Sequence, residues 1–157
     1  TLLNQGSRLA GLSALDLARL RRMTTSIDPA SVGPLLDIGV ADALEWMSGA
    51  DILLANEDEA RALSGESQAV AAGAFLAARF ATVVIKRGAD GAMAWKDGAG
   101  PVSSPATSLQ VRDTTGAGDA FAAGFLAAWT TGADIVACLA RGNQFSGRCV
   151  GATGARP

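Results

Sequence analysis

The sequence predicts an α/β fold: a doubly wound, mainly parallel sheet with flanking helices. Three observations carry that expectation. The hydrophobic pattern switches repeatedly between helical and strand-like period along the chain. The patterned segments are joined by short connections, as in alternating strand–helix units. Of the 157 residues, 49% are hydrophobic, 19 are Gly and only 5% are aromatic. That balance suits a packed domain better than a disordered or disulfide-stapled chain.

Taken in order, Leu9, Leu12 and Leu15 mark a first helix that runs to Arg21 and Arg22. Residues 24–28 read as a short strand, stopped by Pro29. Val40, Ala43, Leu44 and Met47 recur at helical spacing, and Gly49 ends that helix. Residues 51–55 form a compact apolar strand, after which Asn56 and three acids open another helix. The Ala-rich stretch 67–80 is helical, and residues 82–86 are the clearest strand in the chain. Residues 92–95 and 101–104 are short runs separated by Gly and Asp, so they read as antiparallel hairpin strands. Two helices follow, about 116–129 and 134–150. No internal repeat or low-complexity linker divides residues 1–157, which are expected to form a single domain. The opening residues 1–6 carry no initiator Met and are expected to be the end of a buried strand rather than the start of a protein.

Several function classes drop out. The chain has no His, which excludes Ser-His-Asp and Cys-His catalysis and any histidine-ligated zinc or iron site. A net charge of −2 gives no electrostatic reason to expect nucleic acid or an anionic membrane as partner. Arg19, Arg21 and Arg22 are the one basic cluster and read as the solvated end of a helix. Cys138 and Cys149 lie eleven residues apart in a helical stretch. Eleven helical residues span about 16 Å, too far for a disulfide, so both are expected to be reduced core residues. The uncharged run that starts at Ala120 is interrupted by Asp134, and roughly 14 residues are too few to cross a bilayer. With no signal-peptide pattern, the expectation is a cytoplasmic protein.

The chemistry concentrates in Thr115-Gly-Ala-Gly-Asp119, which stands directly before a well-patterned helix. A helix's first turn has unpaired N–H groups and about half a positive charge. Glycines at 116 and 118 let those N–H groups approach a ligand closely, making an anion hole suited to a transferring phosphoryl group. Asp119 adds a carboxylate at the edge of that field, able to accept a hydrogen bond from an alcohol and take its proton as an O–P bond forms. The plainer alternative is an ordinary helix start, with Thr114 or Thr115 as N-cap. No Gly-Lys-Ser/Thr follows the glycines, so this is not a Walker P-loop. Asn56 with Glu59 has a similar plain reading, an N-cap with acids in the first turn. Lys86 to Gly91 likewise reads as a hairpin turn, with Asp90-Gly91 supplying the positive φ.

The full string Asp113-Thr-Thr-Gly-Ala-Gly-Asp-Ala-Phe-Ala-Ala-Gly-Phe125 resembles the second signature of the ribokinase (PfkB) family of carbohydrate kinases nearly residue for residue. The resemblance implies a ribokinase-like fold in partial form, because the family's N-terminal half and β-lid have no counterpart here. It implies ATP-dependent phosphotransfer to a sugar or sugar-acid hydroxyl. A nucleoside kinase of the same fold is one alternative. A non-catalytic nucleotide-binding or interaction protein is another. By the same match Asp119 is catalytic base and sugar contact, and Gly116, Ala117 and Gly118 form the anion hole. Asn56 and Glu59 fall in the family's Asn-x-x-Glu motif, which serves phosphate and Mg²⁺ through its waters. Lys86, Gly88 and Gly91 would line the ATP phosphates and ribose, and Asn143 would sit beside the adenine. Asp113, Thr115, Cys149, Ala152 and Gly154, mainly by their carbonyls, would surround a monovalent cation such as K⁺. Phe145 and Arg148 depart from the pattern there, standing where relatives usually carry small residues. Asp28, in Asp-Pro-Ala-Ser31, matches a family variant and is expected to play a supporting role. A chain without lid and sugar pocket is expected to be a fragment or truncated relative with little activity alone. Its exposed sheet edge would favour self-association or pairing with an N-terminal half.

Overall fold

Five strands hydrogen-bond in chain order in the computed structural model, which describes residues 2–107 and 111–151. They are β1 (Ser26–Ile27), β2 (Ile52–Asn56), β3 (Thr82–Lys86), β4 (Ala92–Lys96) and β5 (Ala99–Ser104). The helices are α1 (Arg8–Leu20), α2 (Val32–Ile38), α3 (Val40–Met47), α4 (Glu57–Ser64), α5 (Ala69–Ala77), α6 (Ala117–Thr130) and α7 (Ile135–Val150). β1 and β2 are parallel, with Ser26 opposite Ile52 and Ile27 opposite Leu53. The links β3–β4 and β4–β5 are five and two residues long. Parallel neighbours need a crossover of a dozen residues or more, so these two pairs are antiparallel hairpins. The sheet is therefore mixed, as the Gly- and Asp-punctuated runs predicted. Ile52, Leu53, Leu54 and Ala55 of β2 and Val83, Val84 and Ile85 of β3 are all buried. Unbroken apolar runs of this kind belong to strands covered on both faces.

By compactness the chain divides into two units. One holds the segments up to Ile85 together with Trp95–Ala99; the other holds Lys86–Ala94 and the segments from Gly100 on. In the first, Gly73 of α5 lies against Trp95, and a Cβ at Gly73 would collide with the indole ring. α1 buries none of its residues, and Leu9, Leu17 and Leu20 are exposed. In the second, α6 and α7 pack through glycines. A Cβ at Gly124 would stand 2.7 Å from the Arg141 carbonyl oxygen, and one at Gly142 would stand 2.8 Å from the Phe121 ring. Gly124 also faces Phe145, 3.0 Å from the same imagined Cβ. The large residue at 145 is thus accommodated by a glycine opposite, and the Arg141 guanidinium caps its ring at 4.7 Å.

Three expectations change. Residues 2–7 form turns, not a strand end, with the Leu2 side chain buried. β1 is two residues rather than five. The Thr25 N–H and hydroxyl both donate to the Asp51 carboxylate, at 2.7 and 2.9 Å, and the Ala30 N–H donates to the Asp28 carboxylate at 2.9 Å. Side chains thus take over the backbone at both strand ends. α2 was not anticipated: its seven residues bury only Leu35, too little to leave a period. Pro34 is tolerated because it lies in the first turn, and Gly39 at φ 97° ends the helix. Cys138 and Cys149 are buried free thiols on one helix, as expected. Among the described residues, no helix is long and apolar enough to cross a membrane.

Candidate active site

In the first unit the site residues are those where β2 ends. Asn56 Oδ1 accepts from the Glu59 N–H at 2.9 Å, and Glu59 Oε2 accepts from the Asn56 N–H at 2.8 Å, a closed capping box. Glu59 is buried, Asn56 is exposed, and Glu57 and Asp58 pair with Arg61 at 3.6 and 3.2 Å. The helix-start reading of this motif is therefore present in full. Asn56→Ala should destabilise the protein by about 1 kcal/mol, a fall in Tm of about 2–4 °C, and Asn56→Asp should restore it. Thermal denaturation checks this; equal Tm values for Asn56→Ala and the wild type would show that the box carries no stability. No three Cys, Asp or Glu side chains meet as a metal cage among the described residues. The Glu59 carboxylate and the Asn56 amide oxygen are oxygen donors of the kind Mg²⁺ takes, one or two per ion beside its waters and substrate phosphates.

The same unit holds a cavity of about 480 Å³ bordered by Leu3, Asn4, Ile27, Asp28, Ala30 and Met47. Its lining comes from three separate stretches of chain, 2–15, 26–34 and Met47, which no sequence pattern links.

In the second unit Lys86 closes β3 and leads into a 3₁₀ turn, Gly88–Asp90. The Arg87 N–H donates to the Gly91 carbonyl at 2.7 Å, and Arg87 pairs with Asp90 at 3.5 Å. Gly88 and Gly91 both have positive φ, 55° and 79°. The N-terminus of α6 comes from another part of the same unit. Gly116, not Thr114 or Thr115, is its N-cap; it sits in the left-handed region at φ 78°, and no side chain caps the helix. Threonine disfavours that conformation and glycine does not. The Thr115 N–H instead donates to the Asp113 carboxylate at 2.9 Å. The Ala117 N–H donates to the Thr114 carbonyl at 3.2 Å, so Ala117 has least to offer a ligand. Asp119 lies exposed in the first turn.

Lys86 Nζ reaches this terminus. It stands 3.5 Å from where a Cβ on Gly118 would be, within van der Waals contact of this turn. An ammonium group beside the positive end of a helix concentrates positive charge at one point. Thr114 and Ala117 also border a cavity of about 230 Å³, together with Gly88, Ala106, Asn143 and Val150. Sites that enclose whole ligands run to about 300–1,000 Å³, so this one has room for only part of such a ligand, about the size of a ring. Asn143 is buried, and its amide N–H₂ donates to the Ser104 carbonyl (3.0 Å), the Ser104 hydroxyl (3.2 Å) and the Pro105 carbonyl (3.0 Å). It borders the cavity, but its donors are committed to holding the 104–105 loop.

Arg112, Asp113 and Thr115 are fastened to the last turn of α7. The Val150 carbonyl accepts from the N–H groups of Arg112 (2.7 Å) and Asp113 (3.3 Å). Cys149 Sγ donates to the Thr115 carbonyl at 3.4 Å. The cation ligands expected from Cys149 and Thr115 are their backbone carbonyls; the bond that joins the two residues is made by the Cys149 thiol. Ala152 and Gly154 lie outside the described residues.

The pfkB family carbohydrate kinase profile matches residues 2–157. A sugar kinase of Archaeoglobus fulgidus is 35% identical over 134 residues, covering 85% of this chain and 52% of that protein. The ATP-dependent ribose-1-phosphate kinase of Halopiger xanaduensis is 36% identical over 134 residues, covering 85% and 42%. Among solved structures, the adenosine kinase of Sinorhizobium meliloti superposes with a TM-score of 0.88 at 32% identity, over 94% of this chain and 46% of that one. The chain thus spans about half the length of these relatives. With a match that runs through the whole chain and a signature that stands on an uncapped helix start, this chain belongs to the pfkB family of carbohydrate kinases and has their ribokinase-like fold.

Proposed function

We propose that this chain is the nucleotide- and phosphate-handling half of an ATP-dependent kinase acting on a sugar or sugar-acid hydroxyl, residues 1–157 serving as one catalytic half-domain. The observation that carries the proposal is Lys86 Nζ drawn up to the uncapped start of α6, next to an exposed Asp119 and a ring-sized cavity. Positive charge gathered there suits the terminal phosphate of ATP. The N–H groups of Gly116, Gly118 and Asp119 stabilise the charge that develops on the transferring group, and Lys86 and the Gly88–Gly91 turn hold the donor's phosphates. Asp119 accepts the hydroxyl's hydrogen bond and takes its proton as the new O–P bond forms, while the old P–O bond breaks and ADP leaves with its electron pair. Little base strength is needed, because the transition state is loose. Mg²⁺, when bound, neutralises phosphate charge; Asn56 and Glu59 would hold it through water. The loop at 113–115 with the end of α7 is the place for a monovalent cation such as K⁺.

The named relatives act on different acceptors, and the adenosine kinase of S. meliloti favours a nucleoside as the second candidate substrate. The bare face of α1, with Leu9, Leu17 and Leu20 exposed, supports association with another copy or with an N-terminal half. Two buried free thiols fit a cytoplasmic enzyme.

Coupled ATP-turnover screening of the intact protein against sugars, sugar acids and nucleosides tests the reading. Lys86→Met should raise KM for ATP about tenfold, since it removes a charge-assisted contact. No turnover with any acceptor, combined with no heat on titrating ATP and Mg²⁺, would sink it.

A further inference from the structure

We propose that the buried thiol of Cys149 is a positioning residue: it fixes the direction of the Thr115–Gly116 peptide and thereby aims the Gly116 N–H into the anion hole. This rests on reading the start of α6 as that hole. In a trans peptide the C=O and the following N–H point in opposite directions. The Thr115 carbonyl is turned toward α7, where it accepts from Cys149 Sγ at 3.4 Å. The Gly116 N–H on the same peptide must then face away from α7.

The neighbouring backbone is fastened on one side, since the N–H groups of Arg112 and Asp113 donate to the Val150 carbonyl and that of Thr115 to the Asp113 carboxylate. The peptide ahead of Gly116 is the joint that these bonds leave free to turn. A glycine at φ 78° lowers the resistance to that turn, because no Cβ blocks it. Turned over, the peptide would place the Thr115 carbonyl oxygen where the phosphoryl oxygens arrive, and like partial charges would repel. Cys149 opposes this from inside α7, fully buried, one residue before the Val150 carbonyl that anchors the loop. A thiol is a weak donor, but here it has only to favour one of two directions.

The test compares Cys149→Ala with Cys149→Ser in the intact protein. Losing one anion-hole donor outright lowers kcat by about 10²–10³-fold, and a donor misaimed part of the time should lower it about tenfold. In Cys149→Ala, kcat and kcat/KM should fall equally with KM for ATP unmoved, the pattern of an interaction made in the transition state. Cys149→Ser, which keeps a hydroxyl donor, should recover most of the loss. With ¹⁵N-glycine labelling, the Gly116 amide resonance should shift when ADP, Mg²⁺ and aluminium fluoride are added, and shift much less in Cys149→Ala. Wild-type kcat in Cys149→Ala, equal losses in both variants, or a Gly116 resonance that responds alike in wild type and Cys149→Ala would each overturn the proposal. So would a wild-type Gly116 resonance that ignores the mimic. If Asp119→Asn leaves turnover intact while Cys149→Ala lowers it, the fault lies in the role given to Asp119 and not in that of Cys149.

Discussion

Asp119→Asn is expected to lower kcat by about 10³-fold while ATP affinity stays within about twofold of the wild type. The substitution keeps the shape of the side chain and removes its capacity to take a proton. Asp119 is exposed in the first turn of α6, so the change leaves no cavity and no buried unpaired group. Its one structural cost is the loss of a negative charge at a helix N-terminus, about 0.3–1 kcal/mol. That is too small to unfold the domain. A loss of 10³ corresponds to about 4 kcal/mol in the barrier, so catalytic and structural effects are easily separated. Turnover in a coupled assay and ATP binding by calorimetry measure the two quantities. A kcat within tenfold of the wild type would remove Asp119 from the chemistry. Loss of ATP binding together with kcat would mean that it serves the nucleotide instead.

Local pattern carried the sequence reading a long way. The apolar run at 82–86 became β3 with the same bounds, and Gly-Ala-Gly-Asp before an apolar helix became the start of α6. Asn56 and Glu59 are three residues apart, so their capping box was within reach of the sequence. What escaped depends on partners far away in the chain. Asn143 is held by Ser104 and Pro105, Cys149 by Thr115, and Lys86 approaches Gly118. No spacing rule links residues 32 to 39 positions apart. The departures at Phe145 and Arg148 were legible as oddities but not as solutions. Only the packed helices show that Gly124 makes room for Phe145 and that the Arg148 guanidinium lies over its ring, 6.0 Å from the centroid. The plainer alternative, a threonine N-cap, failed for a different reason. Threonine is the statistical choice, but the turn into α6 needs a residue at positive φ, which glycine adopts readily.

Gly91 turns the same contrast into a second large effect. The resemblance gave Gly88 and Gly91 one shared role, lining phosphates and ribose, yet their surroundings differ. Gly88 has φ 55° and nothing within 4 Å of an added Cβ. Gly91 is buried, with φ 79° and ψ −128°, a region that side-chain-bearing residues scarcely enter. A Cβ on it would collide with the Ser104 carbonyl oxygen and stand 2.6 Å from the Ala106 N, both backbone atoms with little freedom to yield. Strain at such a φ/ψ is worth about 1–3 kcal/mol, and forced overpacking about as much again. Gly91→Ala should therefore destabilise the protein by about 4 kcal/mol, a large share of a typical total of about 5–15 kcal/mol. Gly88→Ala should cost only about 1 kcal/mol, the strain alone. Paired thermal or urea denaturation of the two variants decides the matter. Equal and small losses would mean that Gly91 is kept for ligand approach. A loss several times larger at Gly91 would mean that the 104–106 segment rests against bare backbone, and that the cavity wall bearing Ala106 depends on that contact.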